Sequence, residues 1–311
     1  MIKRLLATVV PALMISAAVC QAQPLSSSRE YRQAVRLYEK GLYGSSKAMF
    51  EDMDAQDEMT KGYSVLCGVQ LRSEGYEAEL SEYERVYGET ALSPNINLQY
   101  AMNLFDDGRY DEAIYRFGLV PRQSLSYKQY SELLFKKAYA HASIEDYEGA
   151  EPMYDAVIAR KKSSFTAPSW YGKGFIHYTT GDFTGAYKAF EESSKDARFA
   201  SPASYYMLEC RFMQKDYDYV TSHAEAIYSN APAERKQHLA RIISEAYLVK
   251  GDAVSAERYY SSAVSSAAAM NRADYFYAGS LQYALGHYQE AISNFTEMKE
   301  RNDSIGQIAS Y

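Results

Sequence analysis

A ten-residue pattern recurs along this chain at a spacing that leaves little choice of architecture. "GLYGSSKAMF" runs from Gly41 to Phe50, "GRYDEAIYRF" from Gly108 to Phe117, "EDYEGAEPMY" from Glu145 to Tyr154, "GDFTGAYKAF" from Gly181 to Phe190 and "GHYQEAISNF" from Gly286 to Phe295. Looser copies begin at Glu74, Lys215 and Gly251. The third residue of each copy, here called its start residue, is Tyr43, Tyr76, Tyr110, Tyr147, Phe183, Tyr217, Ala253 or Tyr288, at intervals of 33 to 37 residues. A period of that size marks a stacked array, in which each unit buries its apolar face only against its neighbours. Length alone would suggest two ordinary domains; the repeat replaces that estimate with one array.

The spacing inside a copy predicts helix. Ala113, Ala150, Ala186, Ala256 and Ala291 stand three residues after the start residue. Phe50, Tyr83, Phe117, Tyr154, Phe190, Tyr260 and Phe295 stand seven after it, at what we call the ring position. Offsets of zero, three and seven share one face of an α-helix but fall on both faces of a strand. Gly108, Gly181, Gly251 and Gly286 lie two residues before the start residue, where glycine ends a preceding helix in a left-handed conformation. In "GDFTG", Asp182 is the expected N-cap of the helix that follows. Nine residues before the start residue come Ala34, Cys67, Ala101, Ala138, Gly174, Ser244 and Gly279, with Leu208 as the large exception. A small residue there lets two helices approach, and the aromatic ring fills the space beside it.

These marks resemble the tetratricopeptide repeat, over residues 28–302. The fifth copy is fullest, with Trp170, Gly174, Gly181, Phe183, Ala186 and Phe190 in the order of that family; Ala138 in the fourth copy and Gly286, Tyr288, Ala291 and Phe295 in the eighth repeat the signature. Pro232 stands where the family often places a proline. The sixth copy departs most, with Leu208, Val220 and Ala224 at three signature points; a helix pair is expected there, at a packing angle the signature does not fix. The resemblance implies an all-α, right-handed α-solenoid of about eight helix-turn-helix repeats. Asp303 to Tyr311 would then begin a ninth repeat, as in a truncated array.

The N-terminus reads as a leader. Lys3 and Arg4 precede an apolar run from Leu5 to Val19, and Ala22 supplies a small residue before an expected cleavage, with Gln23 first in the mature chain. Residues 1–22 are thus a signal peptide and 23–27 a short linker. The run is about 15 residues, short of the ~20 that span a bilayer. The "QAQ" ending is similar to that of exported Bacteroidetes proteins, which implies a periplasmic location. A lipoprotein anchored at Cys20, with outer-membrane association, is the alternative, although Val19 stands where a small residue is wanted. Cys67 and Cys210, four repeats apart, are expected to be free buried thiols.

Charge and motifs narrow the function. A formal charge of −7 opposes non-specific binding to nucleic acid. No His, Cys or Ser arrangement has the spacing of a catalytic or zinc motif. His141 and His177, each six residues before a start residue, are expected to pack rather than to share a metal. No enzyme activity, metal or small-molecule cofactor is therefore expected. The resemblance implies that the first helices line a groove where partners bind. The stripe facing it would lie twelve, eight and five residues before the start residue: Phe135, Tyr139 and Ala142; Tyr171, Phe175 and Tyr178; Tyr205, Glu209 and Phe212; Phe276, Ser280 and Tyr283. The basic and asparagine residues with which chaperone adaptors of this family clamp a C-terminal carboxylate are missing. Tyr139, Tyr171, Phe175, Tyr178, Tyr205 and Phe212 are the candidate binding residues, for a peptide or helical segment of another protein. Packing between helices is the competing role for the same rings. The expected function is a protein-binding scaffold in an envelope assembly or secretion complex. The alternatives are a glycan or peptidoglycan module and the recognition part of a longer enzyme or sensor.

Overall fold

The computed structural model describes residues 29–54, 56–160, 163–264 and 272–297. The expected signal peptide, the linker and residues 303–311 lie outside them. Sixteen α-helices fall into eight pairs, with no strand among the described residues. The pairs are α1 and α2 (Arg29–Glu39, Tyr43–Glu51), α3 and α4 (Glu58–Leu71, Tyr76–Tyr87), α5 and α6 (Ser93–Asp106, Tyr110–Gly118), and α7 and α8 (Tyr127–Ser143, Tyr147–Ile158). There follow α9 and α10 (Thr166–Thr179, Phe183–Ser194), α11 and α12 (Ala197–Met213, Tyr217–Ser229), α13 and α14 (Ala233–Val249, Ala253–Val264), and α15 and α16 (Arg272–Ala284, Tyr288–Thr296). Every second helix begins at the start residue read from the repeat. The chain divides into two compact units, one reaching Ala156 near the end of α8 and one beginning at Val157. Each is an all-α stack of helix pairs, as a solenoid of such repeats requires.

The turns explain why the helices begin in register. In seven copies the residue two before the start residue has positive φ: Gly41, Gly108, Glu145, Gly181, Lys215, Gly251 and Gly286. The second copy uses Arg72 and Gly75 instead. The hydrogen bonds that close these turns reach back five positions, as in Arg109 N–H to Leu104 O (2.9 Å), Asp216 N–H to Arg211 O (2.9 Å) and His287 N–H to Gln282 O (2.9 Å), the long bond of a Schellman motif. Side chains lock the same turns. Asp182 accepts from Gly185 N–H at 2.9 Å, as expected of an N-cap, and takes His177 Nδ1 at 3.0 Å. Asp146 repeats this with Gly149 N–H (2.9 Å) and His141 Nδ1 (2.7 Å). Both carboxyls are held below the usual range, first by the backbone N–H bond and then by histidine. The two histidines are thus turn locks, each bound within its own copy. Gly185 is glycine because a Cβ there would run into Asp182 and His177.

Packing joins the helices of a pair through the small and ring positions. A Cβ on Gly174 would stand 2.8 Å from the Phe190 ring, and one on Gly279 would stand 2.5 Å from that of Phe295. The other face of the ring meets the next repeat: Phe50 stacks on Tyr63 at 5.1 Å, and Phe190 on Tyr206 at 4.9 Å. Phe50, Phe117, Tyr154 and Phe190 are fully buried. Where a polar residue enters this contact it bonds the partner backbone, as Ser46 Oγ does to Ala34 O at 2.9 Å. Cys67 and Cys210 are free and buried, and burial pushes their thiols up to about 11 and about 12.

The sixth copy solves its departure by exchange. Leu208 is large at the small position, and Ala224 is small at the ring position. Both are fully buried in one cluster with Val220, Leu239 and Ile243. Leu208→Ala is expected to cost about 2–5 kcal/mol, as for other buried leucines, in urea unfolding. Ala224→Phe alone overpacks the cluster, and the double variant, which restores the consensus sizes, recovers part of the loss. Strict additivity of the two would contradict the exchange. At the turns, Lys215→Gly is expected to stabilise by up to about 1 kcal/mol, because it relieves a left-handed side-chain residue. Gly181→Ala, where only φ objects, is expected to destabilise by about 1–2 kcal/mol. Shifts of opposite sign in thermal unfolding check both.

Candidate functional site: the stripe along the first helices

The three rows of the expected stripe differ in what they leave open. Twelve residues before the start residue, Phe135, Tyr171 and Tyr205 are buried, so these three belong to the core and not to a surface, while Phe276 is partly buried. Tyr171 packs on Phe190 at 5.4 Å, on Phe199 at 5.3 Å and on Tyr206 at 6.0 Å. Tyr205 donates to Asn230 O at 3.1 Å. A helical face is wider than one row, and the outermost row turns under the neighbouring repeat. The rows eight and five residues before the start residue are partly open, in Tyr139, Phe175, Tyr178 and Phe212.

Most of these rings also pack on their own repeat. The residue five before the start residue meets the start residue across the turn in Tyr38–Tyr43 (5.4 Å), Phe105–Tyr110 (5.7 Å), Tyr178–Phe183 (5.8 Å), Phe212–Tyr217 (5.9 Å) and Tyr283–Tyr288 (5.7 Å). In the first unit Tyr139 rests on Phe105 at 5.4 Å and on Tyr110 at 6.1 Å, and its hydroxyl is pushed up to about 12 by burial. In the second unit Phe175 and Tyr178 bracket Tyr206, at 6.4 and 5.4 Å. The last described pair is the open one: Tyr283 is 64% and Tyr288 60% exposed. Trp170 is half-buried with Lys173 Nζ 5.9 Å from its ring.

A polar cluster in the second unit interrupts the rings. Glu209, on α11, is 2% exposed. Tyr178 Oη, on α9, donates to its Oε2 at 2.9 Å. Arg235 Nη1 and His238 Nε2, both on α13, lie 3.5 and 3.3 Å from its Oε1, and that oxygen accepts no hydrogen bond. Arg235 turns its other nitrogen to Tyr206 Oη at 2.8 Å. Burial and the Glu209 carboxylate push the Tyr178 hydroxyl well above its ordinary value. Sequence reading placed Glu209 on the stripe but missed Arg235 and His238, which lie upstream of the signature where no period marks them. Their one signal was a buried acid among rings, which demands a cation nearby. Arg235→Met strands this carboxylate and is expected to cost about 3–5 kcal/mol. Adding Glu209→Gln removes the stranded charge while keeping the Tyr178 bond, so the double variant should unfold at higher urea than Arg235→Met alone.

Neither a protein-family model nor a curated protein matches the chain. Solved structures do. One is the pilF protein of Pseudomonas aeruginosa, at a TM-score of 0.53 and 14% identity, covering 70% of this chain and 96% of that one. A tetratricopeptide repeat protein from Parabacteroides merdae covers 91% of this chain and 100% of its own, at a TM-score of 0.45 and 12% identity. PilW, described as a widely conserved type IV pilus biogenesis factor, covers 70% of this chain and 98% of its own, at 0.48 and 15%. What the chain shares with the first of these is a fold, and its own helix pairs, small-to-ring contacts and left-handed turns make that fold an array of tetratricopeptide type.

Proposed function

We propose that the chain is a non-enzymatic scaffold that binds a peptide or helical segment of another protein along the stripe of its first helices. The observation that carries this reading is the row of half-open rings Phe175, Tyr178 and Phe212 within the second unit, fixed by packing before any partner arrives; Tyr139 holds the equivalent place within the first. Tyrosine and phenylalanine held in this way add contact area at little cost in rotamer freedom. Tyr171 and Tyr205 act here as supports, since they lie beneath that row. The leader read at residues 1–22 supports a setting in the cell envelope, in an assembly or secretion complex.

Pull-down from an envelope extract with the full chain is the test. A protein partner is expected, and Phe175→Ser with Tyr283→Ser should lose it while circular dichroism and melting show the helices retained. An extract from which nothing is enriched, or a partner held equally by the variant, would overturn the reading.

A further inference from the structure

Within the second unit the middle row of the stripe passes from the ring of Phe175 to acids at Glu209 and Glu245 before Ser280. Glu209 in the sixth copy and Glu245 in the seventh stand at the same place, eight residues before Tyr217 and Ala253, on α11 and α13, which pack against each other. The two carboxylates are differently served. Glu209 has Tyr178 on one oxygen, while the other, beneath the half-exposed ring of His238, accepts no hydrogen bond. Glu245 is half-buried and makes no hydrogen bond or ion pair among the described residues. The cation nearest it in effect is Arg241, whose Nη1 is 3.2 Å from Asp274. A half-buried carboxylate without a partner is costly to keep and is supported when a donor arrives.

We propose that this part of the stripe recognises a lysine or arginine of the partner segment, with Glu245 as its counter-charge and Phe212 as a neighbouring ring, while the buried carboxylate of Glu209 adds negative potential from beneath. Phe212 follows Glu209 by three residues on α11, so the two share a face. A cation set between a carboxylate and an aromatic face gains from both. Arg235 already offsets Glu209, so the uncompensated charge at the site is that of Glu245. Burial holds the Glu245 carboxyl above its ordinary range, in keeping with the want of a partner. The chain's charge of −7 favours a basic segment at longer range. An acidic partner terminus would meet repulsion here.

The proposal rests on the groove reading above. Its test is to pan a phage-displayed library of short random peptides against the full protein, and to measure the enriched sequences as synthetic peptides by fluorescence anisotropy. The enriched sequences should carry lysine or arginine beside apolar residues, and their affinity should fall with added salt. Glu245→Gln should weaken them about tenfold or more, the scale of one charge-assisted contact, while Glu245→Asp retains part of the affinity. Enriched peptides without a basic residue, peptides bound equally by Glu245→Gln, or no enrichment at all would overturn the proposal. An envelope partner lost by the Phe175→Ser and Tyr283→Ser variant but kept by Glu245→Gln would leave the scaffold standing and refute the cation site alone.

Discussion

The contact on which the structure depends is that between a small residue on the first helix of a repeat and an aromatic ring on the second. At Gly174 and Gly279 the ring sits where even a methyl group would not fit. The approach is what allows the far side of the ring to reach the next repeat, as Phe190 reaches Tyr206. One side chain therefore ties three helices together, and the same solution recurs at Phe50 with Tyr31 and Tyr63. In the sixth copy Leu208 and Ala224 carry the large and small sizes on the opposite helices and are buried in one cluster.

The turn then decides what the surface can do. A left-handed residue two before the start residue fixes the angle at which the second helix departs, and the ring at the end of the first helix closes over the start residue. That closure leaves the rings on the stripe half-open: buried enough to be held in place, open enough to be touched. In the second unit the same geometry places Glu209 under His238 and beside Arg235. Burying a carboxylate costs more than exposing it, so its presence there sets it apart from the rings of the same stripe.

Much of the fold was legible because the repeat states it eight times. The start residues Tyr43 to Tyr288 mark the first residue of every second helix, and Asp182 caps as its place in "GDFTG" implies. Offsets alone could not separate core from surface within the stripe. Tyr171 and Tyr205 occupy the same helical face as Phe175 and Phe212, and only the neighbouring repeat, some 35 residues away in sequence, decides that the first two are covered. Arg235 and His238 were illegible for the same reason: their partner is on another repeat, and nothing periodic points to it. The left-handed Glu145 and Lys215 carry no glycine to announce them; they are found by register.

If stability is held locally, repeat to repeat, by the ring position, native-state hydrogen exchange on Phe190→Ala will reveal it. Phe190 is fully buried between α9, α10 and α11, and its loss is worth about 3–5 kcal/mol where it packs. Amides of residues 166–213 are expected to lose protection by that amount while those of α3 to α5 in the first unit keep theirs. Equal loss of protection across both units, or no loss in α9 to α11, would contradict it.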